Sequence, residues 1–351
     1  MAQDIDVLLV LVATNGASWL PDTIASIKSQ THEHLTVVAV DNASKDSSRA
    51  LLQKAFGKES VVSLERRAGY ARALVAAMKA AGDRAKNAGA FLLLHDDCAM
   101  EPGTVAALLD SLSYEGVEIA GPKLAEWDDP EVLQEAGLSI DRYARIFDPL
   151  ERGELDQGQY DQVKEVLWVS SACMLITRSL VERIGFFDAR FVLFREDLDF
   201  CWRARIAGAK VAFCGTTKAR HAAASLRNLR DGWATGRVRY FVERNMLASM
   251  IQNYSRATLV LVLPVAVLFA LGSALLYLAT GRRSAAGQIL EAVRWNAVHV
   301  AGTIRARARA QRVRTVADSE VTKLAMRGAH RVRSLAERIF ERVAGEPAEG
   351  L

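Results

Sequence analysis

The chain of 351 residues is long enough for one large domain or two modest ones, and its composition, half hydrophobic and one quarter charged, is typical of globular proteins. Its net charge of +4 comes from the C-terminal region, because residues 281–351 carry 14 Lys and Arg against 7 Asp and Glu. Four cysteines without a CxxC pair, in a chain of this size, exclude a disulfide-rich secreted scaffold. The first apolar run has no basic residue before it, so we expect a strand there and no signal peptide.

The first 120 residues alternate between apolar runs of strand length and helical stretches. The pattern predicts strands at 5–13, 35–40, 61–64, 90–94 and 117–120, and helices at 18–30, 44–55, 70–86 and 102–112. Alternation of this kind predicts an α/β fold, with a mostly parallel sheet and helices on both faces. Ligands of such sheets bind beyond the carboxyl ends of the strands.

The pattern becomes less regular after residue 125. Residues 125–165 are polar and irregular, which predicts an excursion over the surface. Further elements follow, predicted as a strand at 166–177, a short helix at 180–184, a helix at 197–207 and a last strand at 210–214. We divide the chain into an α/β domain and three later segments, at residues 1–225, 226–256, 257–280 and 281–351.

The segment from 257 to 280 is the strongest candidate for contact with a membrane. Its 24 residues include no charged side chain. A helix of that length extends about 36 Å, enough to cross a bilayer core of roughly 30 Å. A single crossing, a membrane-dipping hairpin and a buried core helix all remain open, and arginines at both ends leave the orientation undefined. Basic amphipathic helical sequence precedes the segment, and residues 285–304 are typical of an interfacial helix.

Two aspartates, Asp96 and Asp97, come directly after the fourth predicted strand. Carboxylate oxygens bind hard divalent cations, which also bind the phosphates of a nucleotide diphosphate. Their position at a strand end, where a ligand would bind, favours a cation site. A pair of solvated loop carboxylates is the alternative.

A second acidic cluster contains Glu196, Asp197 and Asp199, after an aromatic run. A carboxylate beside aromatic residues can have its pKa adjusted for general-base catalysis. The alternative is an ordinary helix N-terminus, where acidic side chains are favoured by the helix dipole. The two interpretations are compatible.

A lone histidine, His221, follows the last predicted strand. A single histidine is more often structural than a ligand, although imidazole is a common metal ligand. Its place after both acidic clusters favours a role in the same site.

Taken in order, these segments resemble the inverting family-2 glycosyltransferases with a GT-A fold, especially rhamnosyl- and galactofuranosyl-type enzymes of bacterial envelopes. The resemblance covers about residues 5–250 and depends on order and spacing, since no single motif is decisive. The matching segments are Thr14-Asn15, DNASKDSS (41–48), RRAGYARA (66–73), HDD (95–97), SSACMLITRS (170–179), GFFDARFVLFREDLDFCWR (185–203) and His221.

The resemblance implies a division of roles within the site. On the donor side, Asp41 would bind the nucleobase with Asn15 near it, Gly69 would allow the backbone to approach the nucleotide, and Asp96 would lie near the ribose, metal or sugar. The metal, Mg²⁺ or Mn²⁺, would be bound by Asp97 and His221.

The acceptor side would contain the catalytic carboxylates. Asp197 would be the base and Glu196 would bind acceptor or sugar, while Trp168, Ser170 and Ser171 would shape the acceptor side.

Two positions depart from the family pattern. His95 stands where many members have a third acidic residue, so fewer carboxylates would hold the metal. Arg67 stands where the family has asparagine in Asn-x-Gly, and it could pair with a phosphate.

The resemblance implies an enzyme that moves a hexosyl or deoxyhexosyl group from a UDP- or dTDP-linked donor to a lipid-linked or polysaccharide acceptor. Its catalytic domain would face the cytoplasm at the cell membrane. A dehydrogenase would need GxGxxG after the first strand, where the sequence reads ATNGASW. A nucleotide-sugar-binding pseudoenzyme or membrane scaffold without turnover is the alternative. The tract RARARAQRVR (305–314) has no interleaved aromatic residues, so anionic lipid or solvent is expected there and not nucleic acid.

Overall fold

The computed structural model describes residues 4–230 and 236–324. The strands are β1 Val7–Ala13, β2 Leu35–Asp41, β3 Val61–Ser63, β4 Ala90–His95, β5 Cys98–Met100, β6 Val117–Glu126, β7 Leu133–Glu135, β8 Ser139–Ile140, β9 Ile146–Phe147, β10 Val163–Val166, β11 Cys173–Thr177 and β12 Lys210–His221. The helices are α1 Leu20–Lys28, α2 Ser48–Phe56, α3 Tyr70–Ala81, α4 Asp83–Asn87, α5 Thr104–Ser111, α6 Arg178–Ile184, α7 Glu196–Ile206, α8 Val238–Asn253, α9 Arg256–Ala279, α10 Arg283–Val298, α11 Val300–Arg312 and α12 Asp318–Thr322.

One large sheet organises the N-terminal two thirds of the chain, in the order β10-β12-β6-β11-β4-β1-β2-β3. Strands β4, β1, β2 and β3 are parallel to one another, whereas β11 runs antiparallel to both β4 and β6. Helices cover both faces, so β1 is buried along its whole length. Its side chains alternate between two hydrophobic cores, with Leu8 and Val10 on one face and Leu9 and Leu11 on the other. The predicted α/β fold is confirmed.

The structure divides one predicted strand in two. The apolar run predicted as a strand at 166–177 forms β10 and β11, and residues 167–172 between them leave the sheet. Ser170 and Ser171 lie in this intervening segment, where their backbone amides donate to the carboxylates of Glu135 and Asp197. Periodicity alone cannot reveal such a departure, because the run is apolar on both sides of the serines.

Two other segments differ from their predictions. Residues 125–165 are partly internal, because Leu133, Leu138 and Ile140 are buried in the core. Strand β12 is longer than predicted, so His221 is its last residue and does not follow it.

The C-terminal helices pack against one another and against α7. Helix α8 is buried on most of its surface, although its sequence suggested one apolar face. Its C-terminal carbonyl groups, at residues 251–254, accept hydrogen bonds from Arg307, Gln311 and Arg314. Part of the basic tract therefore caps a helix end, where cations are favoured by the dipole. Residues 231–235 and 325–351 of the predicted C-terminal segments lie outside the described residues.

Helix α9 is the one helix in the described part of the chain that is long and apolar enough to cross a membrane. Ala266, Ala270 and Ala274 on one face are buried, the latter two in a cluster with Ile289 of α10. The opposite face is exposed and apolar, as at Leu268, which is 67% exposed. The helix is therefore attached to the protein along one side and open along the other.

Candidate active site

A cavity of about 430 Å³ opens at the carboxyl ends of β1, β2 and β4. Polar side chains from every part of the sheet reach it, namely Thr14, Asn42, Arg67, Tyr70, His95, Asp96, Asp97, Gln134, Glu135, Trp168, Ser170, Ser171, Arg195, Glu196, Asp197, His221 and Arg230. Both acidic clusters that the sequence singled out therefore face one space. Of the predicted site residues, Asn15, Asp41 and Gly69 lie behind this lining.

A histidine–aspartate–histidine cluster lies on one wall. Ligand atoms of His95, Asp97 and His221 are all within 4.8 Å of one another. The Nδ1 atom of His221 is 2.7 Å from Oε1 of Gln134. Because the amide oxygen can only accept, Nδ1 is the donor in that contact. In the neutral ring Nε2 then carries no proton, and it is 3.7 Å from Oδ1 of Asp97.

The charge states of this cluster also suit a cation. Burial lowers the pKa of His95 to about 4 and also lowers the pKa of His221, so both rings are neutral at pH 7. Burial alone would raise the pKa of Asp97, but His221, Arg230 and His95 together hold it at about 2. One carboxylate and two neutral imidazoles are a chemically suitable set of metal ligands.

One arginine, Arg230, pairs with both aspartates. The guanidinium of Arg230 donates to Oδ1 and Oδ2 of Asp96 at 2.8 and 2.9 Å, and its Nη2 is 3.0 Å from Oδ2 of Asp97. It also lies 4.8 Å over the ring of Trp19. Asp96 and Asp97 raise the pKa of Arg230 against the opposing effect of burial, so the guanidinium is a fixed positive charge.

The loop after β1 is built around Asp96. The backbone amide of Thr14 donates to its Oδ2 at 2.8 Å. A Cβ on Gly16 would lie 2.1 Å from the same oxygen, so only glycine fits beside this carboxylate. Asn15 has a positive φ of 50° and accepts a hydrogen bond from the amide of Lys45 through its side chain. Asn15 thereby ties this loop to the segment after β2.

Asn42, which follows β2, connects the segment after β3 to the cavity. Its side chain exchanges hydrogen bonds with the backbone of Ala68, at 2.7 and 3.0 Å, and fixes the loop that carries Arg67. A Cβ on Gly69 would lie 2.9 Å from Cα of Val192, so this glycine allows two backbone segments to approach each other. Asp41 is buried and accepts from the amide of Ser44.

The second acidic cluster lines the same cavity, at the start of α7. Burial raises the pKa of Glu196 to about 8, and Asp197 adds to the rise. Burial also raises the pKa of Asp197, against the opposing effect of hydrogen bonds from the amides of Leu198 and Ser171. The Oε2 atom of Glu196 is buried and has no hydrogen-bond partner among the described residues. The two carboxyl groups are adjacent and buried, so a negative charge on one of them disfavours ionisation of the other.

Ser171 contacts both clusters. Its backbone amide donates to Oδ2 of Asp197 at 3.2 Å, and its hydroxyl is 3.3 Å from Nε2 of His95. The neighbouring amide of Ser170 donates to Oε1 of Glu135 at 3.0 Å. Residues 167–172 thus set the distance between the histidine cluster and the carboxylates of α7.

Strained backbone precedes these carboxylates. Phe194 and Arg195 both have positive φ, of 61° and 65°, which is costly for residues with a Cβ. The side-chain amide of Asn245 in α8 donates to the carbonyl groups of Leu193 and Phe194, at 2.8 and 2.7 Å. A C-terminal helix therefore holds the loop that positions Arg195 and Asp197.

Comparison with known sequences decides the family. The model described as Glycosyl transferase family 2 matches residues 9–185, half of the chain. The chain belongs to glycosyltransferase family 2.

Individual relatives agree with this membership. The enzyme is 25% identical over 220 residues to N-acetylglucosaminyl-diphospho-decaprenol L-rhamnosyltransferase of Mycobacterium tuberculosis strain H37Rv, across 58% of this chain and 72% of the relative. It is also 31% identical over 64 residues to the low-salt glycan biosynthesis hexosyltransferase Agl10 of Haloferax volcanii, across 18% of this chain and 21% of that protein. The predictions of a glycosyltransferase, and of its likeness to rhamnosyltransferases, are confirmed.

A solved structure supports the fold. The crystal structure of GalNAc-T7 with UDP, GalNAc and Mn²⁺ has a TM-score of 0.55 and 15% identity, covering 72% of this chain and 48% of that chain. This chain thus spans about half the length of that structure. The likeness concerns the fold alone, and it confirms the GT-A prediction for this glycosyltransferase.

Several lining residues were not among the predicted site residues, and three of them bear directly on the chemistry of the site. His95 was noted as a departure from the acidic triplet, and its place beside Asp97 was the available signal. Glu135 lies in the segment interpreted as a surface excursion, and burial raises its pKa well above the ordinary value. Arg230 is 134 residues from Asp96 along the chain, and no local pattern marks it.

Proposed function

We propose that this glycosyltransferase moves a sugar from a nucleotide diphosphate to an acceptor hydroxyl in one displacement that inverts the anomeric carbon. The observation that carries the proposal is the presence of two sites in one cavity. A set of cation ligands and a pair of carboxyl groups both line it, and Ser171 is in contact with both sets. Displacement of a diphosphate needs positive charge at the leaving group and a base on the opposite face of the sugar.

On the donor side, His95, Asp97 and His221 would bind the divalent cation. When bound, the cation would neutralise the departing diphosphate. We expect Mn²⁺ to be preferred over Mg²⁺, because two of the three ligands are imidazoles and Mg²⁺ prefers oxygen. Mn²⁺ accompanies UDP in the GalNAc-T7 structure, which is consistent with this choice.

Arg230 is the second source of positive charge on the donor side. It pairs with both aspartates, and a guanidinium also matches the geometry of phosphate oxygens. We propose that donor and cation take over its contacts with Asp97, and that Arg230 then pairs with the diphosphate. Arg67, on the adjacent loop, lines the same cavity.

On the acceptor side, Asp197 would accept the proton of the attacking hydroxyl. Its raised pKa makes it a better base than an ordinary aspartate. Glu196 would be protonated at neutral pH, because its pKa is about 8, and could donate a hydrogen bond to acceptor or sugar. Trp168, Ser170 and Ser171 would shape the acceptor side of the cavity.

We further propose that the acceptor is lipid-linked and that the enzyme works at the cell membrane, with its catalytic domain facing the cytoplasm. The name of the mycobacterial relative specifies a diphospho-decaprenol acceptor. Helix α9 is 24 residues long, and one of its faces is apolar and exposed. Together they support a site close to the bilayer and a role in building envelope glycan.

The test is a donor screen with the purified enzyme in detergent. UDP-, dTDP- and GDP-sugars are incubated with Mn²⁺, Mg²⁺ or chelator and a membrane-lipid extract, and nucleotide release and sugar transfer are measured. We expect one donor class to support metal-dependent transfer that is lost in both Asp97→Asn and Asp197→Asn. The exposed carboxylate variant Asp110→Asn is the matched control and should retain activity. Donor binding without turnover would favour the pseudoenzyme alternative, and no binding to any donor would refute the proposal.

A further inference from the structure

The side chain of Gln134, which lines the cavity, contacts His221 at two points. Its Oε1 atom is 2.7 Å from Nδ1 of the imidazole, and its Nε2 atom donates to the backbone carbonyl of the same histidine at 3.0 Å. The carbonyl oxygen can only accept, so the amide nitrogen of Gln134 has to face it and the amide oxygen has to face Nδ1. The backbone of His221 therefore fixes the orientation of the glutamine, and the glutamine requires a proton on Nδ1.

The pairing of three strands brings these two residues together. At the end of β6, Leu124 is paired with Glu135 of β7 and with Ala219 of β12. Gln134 precedes Glu135, and His221 is the last residue of β12. The contact between the two side chains therefore follows from the register of the sheet and does not need a ligand to form.

The other imidazole nitrogen of His221 faces Asp97. Nε2 is 3.7 Å from Oδ1 of Asp97, which is too far for a hydrogen bond, and Nδ1 of His95 is 3.9 Å from the same oxygen. The second carboxylate oxygen, Oδ2, accepts from the backbone amide of Ala224 at 2.8 Å and pairs with Arg230. Oδ1 and the two ring nitrogens are thus the atoms of this cluster that face one another.

We propose that Gln134 is a positioning residue of the cation site, which holds the proton of His221 on Nδ1 and so keeps the Nε2 lone pair available to a divalent cation. An imidazole that binds a metal needs one nitrogen without a proton, and the hydrogen bond made by the other nitrogen determines which one that is. Without Gln134, the carboxylate of Asp97 would draw the proton to Nε2, where it would block that nitrogen. This inference rests on the proposed function and adds a residue outside the set of cation ligands.

The first experiment locates the proton in the metal-free enzyme. The full-length protein in detergent is labelled with ¹⁵N-histidine, and long-range proton–nitrogen NMR spectra at neutral pH distinguish the two tautomers. The signals absent from His221→Gln identify His221 among the six histidines. We expect the proton on Nδ1 in the wild type and on Nε2 in Gln134→Leu, which removes the acceptor and keeps a side chain of similar size.

The second experiment measures Mn²⁺ binding to the metal-free enzyme by electron paramagnetic resonance. Gln134→Leu should weaken binding by roughly 10- to 100-fold, the usual range for losing the partner of a metal-binding histidine. Gln134→Glu loses the same N–H donor but still offers Nδ1 an acceptor, so it should keep the wild-type tautomer and bind Mn²⁺ at least as tightly as the wild type. Gln157→Leu, at an exposed glutamine in the same segment, is the matched control and should change nothing.

The comparison of the leucine and glutamate variants separates a proton-directing role from a structural one. A proton that stays on Nδ1 in Gln134→Leu, or an unchanged affinity for Mn²⁺ in that variant, would overturn the proposal. Equal losses of affinity in Gln134→Leu and Gln134→Glu would also overturn it, because they would show that Gln134 only holds β7 to β12.

Failure of the proposed function gives a different result. If Mn²⁺ binding depends on Gln134 but no nucleotide sugar is turned over, the transfer function is refuted and the positioning role stands. If the wild type binds no Mn²⁺, the cation site and this inference are refuted together.

Discussion

Replacing Glu196 with Gln should stabilise the folded enzyme at high pH, even though the residue lines the active site. Glu196 is 6% exposed, its Oε2 has no hydrogen-bond partner in the part of the chain that the structure describes, and burial with the neighbouring Asp197 raises its pKa from 4.5 to about 8. A carboxyl group with a raised folded-state pKa is protonated in the folded protein and ionised in the unfolded chain between these two pH values. Its favourable contribution is complete below pH 4.5 and is lost as the pH rises through 8.

The size of the effect follows from that pKa difference. A rise from 4.5 to about 8 corresponds to roughly 4–5 kcal/mol once both states are ionised. Relaxation around the buried charge recovers part of this, so we expect glutamine to gain about 2–3 kcal/mol at pH 8.5 and less than about 1 kcal/mol at pH 5. For a protein of this size, each kcal/mol moves Tm by roughly 1.5 °C, so we expect Tm to rise by about 3–4.5 °C at pH 8.5 and by less than about 1.5 °C at pH 5.

The assay is thermal unfolding in detergent, followed by tryptophan fluorescence at pH 5 and pH 8.5. The difference between the two pH values is the decisive quantity, because it cancels any pH-independent cost of the amide. Glu182→Gln is the control, since Glu182 is an exposed partner of Arg178 on α6. Equal shifts of Tm for Glu196→Gln at both pH values would refute the reasoning.

Three further predictions concern the site and its support. kcat/KM should fall as the pH drops through a pKa above 3.8, because Asp197 must be ionised to act as base and burial raises its pKa; the pH profile of transfer measures this. Arg230→Gln should raise the Mn²⁺ affinity of the donor-free enzyme several-fold, since it removes the cation that pairs with Asp97, as measured by electron paramagnetic resonance. Gly69→Ala should cost about 1–3 kcal/mol in chemical unfolding, because its Cβ would lie 2.9 Å from Cα of Val192.

Each of these predictions has a contrary result. An acid limb at the ordinary aspartate value would exclude a buried base. Equal or weaker Mn²⁺ binding in Arg230→Gln would show that the arginine does not compete for the carboxylates. Gly103→Ala is the control for Gly69→Ala, because a Cβ there meets open space, and equal stability losses in both variants would remove the steric explanation.

The parallel half of the fold could be predicted because its strands are buried on both faces. In β1 every residue is apolar and buried, so length and composition identify the strand without further information. Once β4 is identified, the direction of the chain places the residues after it at the carboxyl edge of the sheet, where ligands bind. Asp96 and Asp97 line the cavity at that edge.

Long-range contacts explain what could not be predicted. Ser170 and Ser171 lie outside the sheet, and their backbone amides donate hydrogen bonds to the carboxylates of Glu135 and Asp197, which are distant in sequence. The role of Arg230 could not be predicted for the same reason, since the two carboxylates that it pairs with, Asp96 and Asp97, belong to a distant part of the chain. Helix α8 is buried because later helices pack against it, and the sequence of α8 alone does not reveal those contacts.

The most direct test of the central claim compares transfer and donor binding in Asp197→Asn. Asparagine preserves the size of the side chain and can still accept from Ser171, but it cannot take the acceptor proton. We expect donor affinity within about 2-fold of the wild type and a transfer rate lower by roughly 100- to 10,000-fold, the range for loss of a general base. Transfer at the wild-type rate would contradict the account, because the carboxylate at the start of α7 would then not be the base.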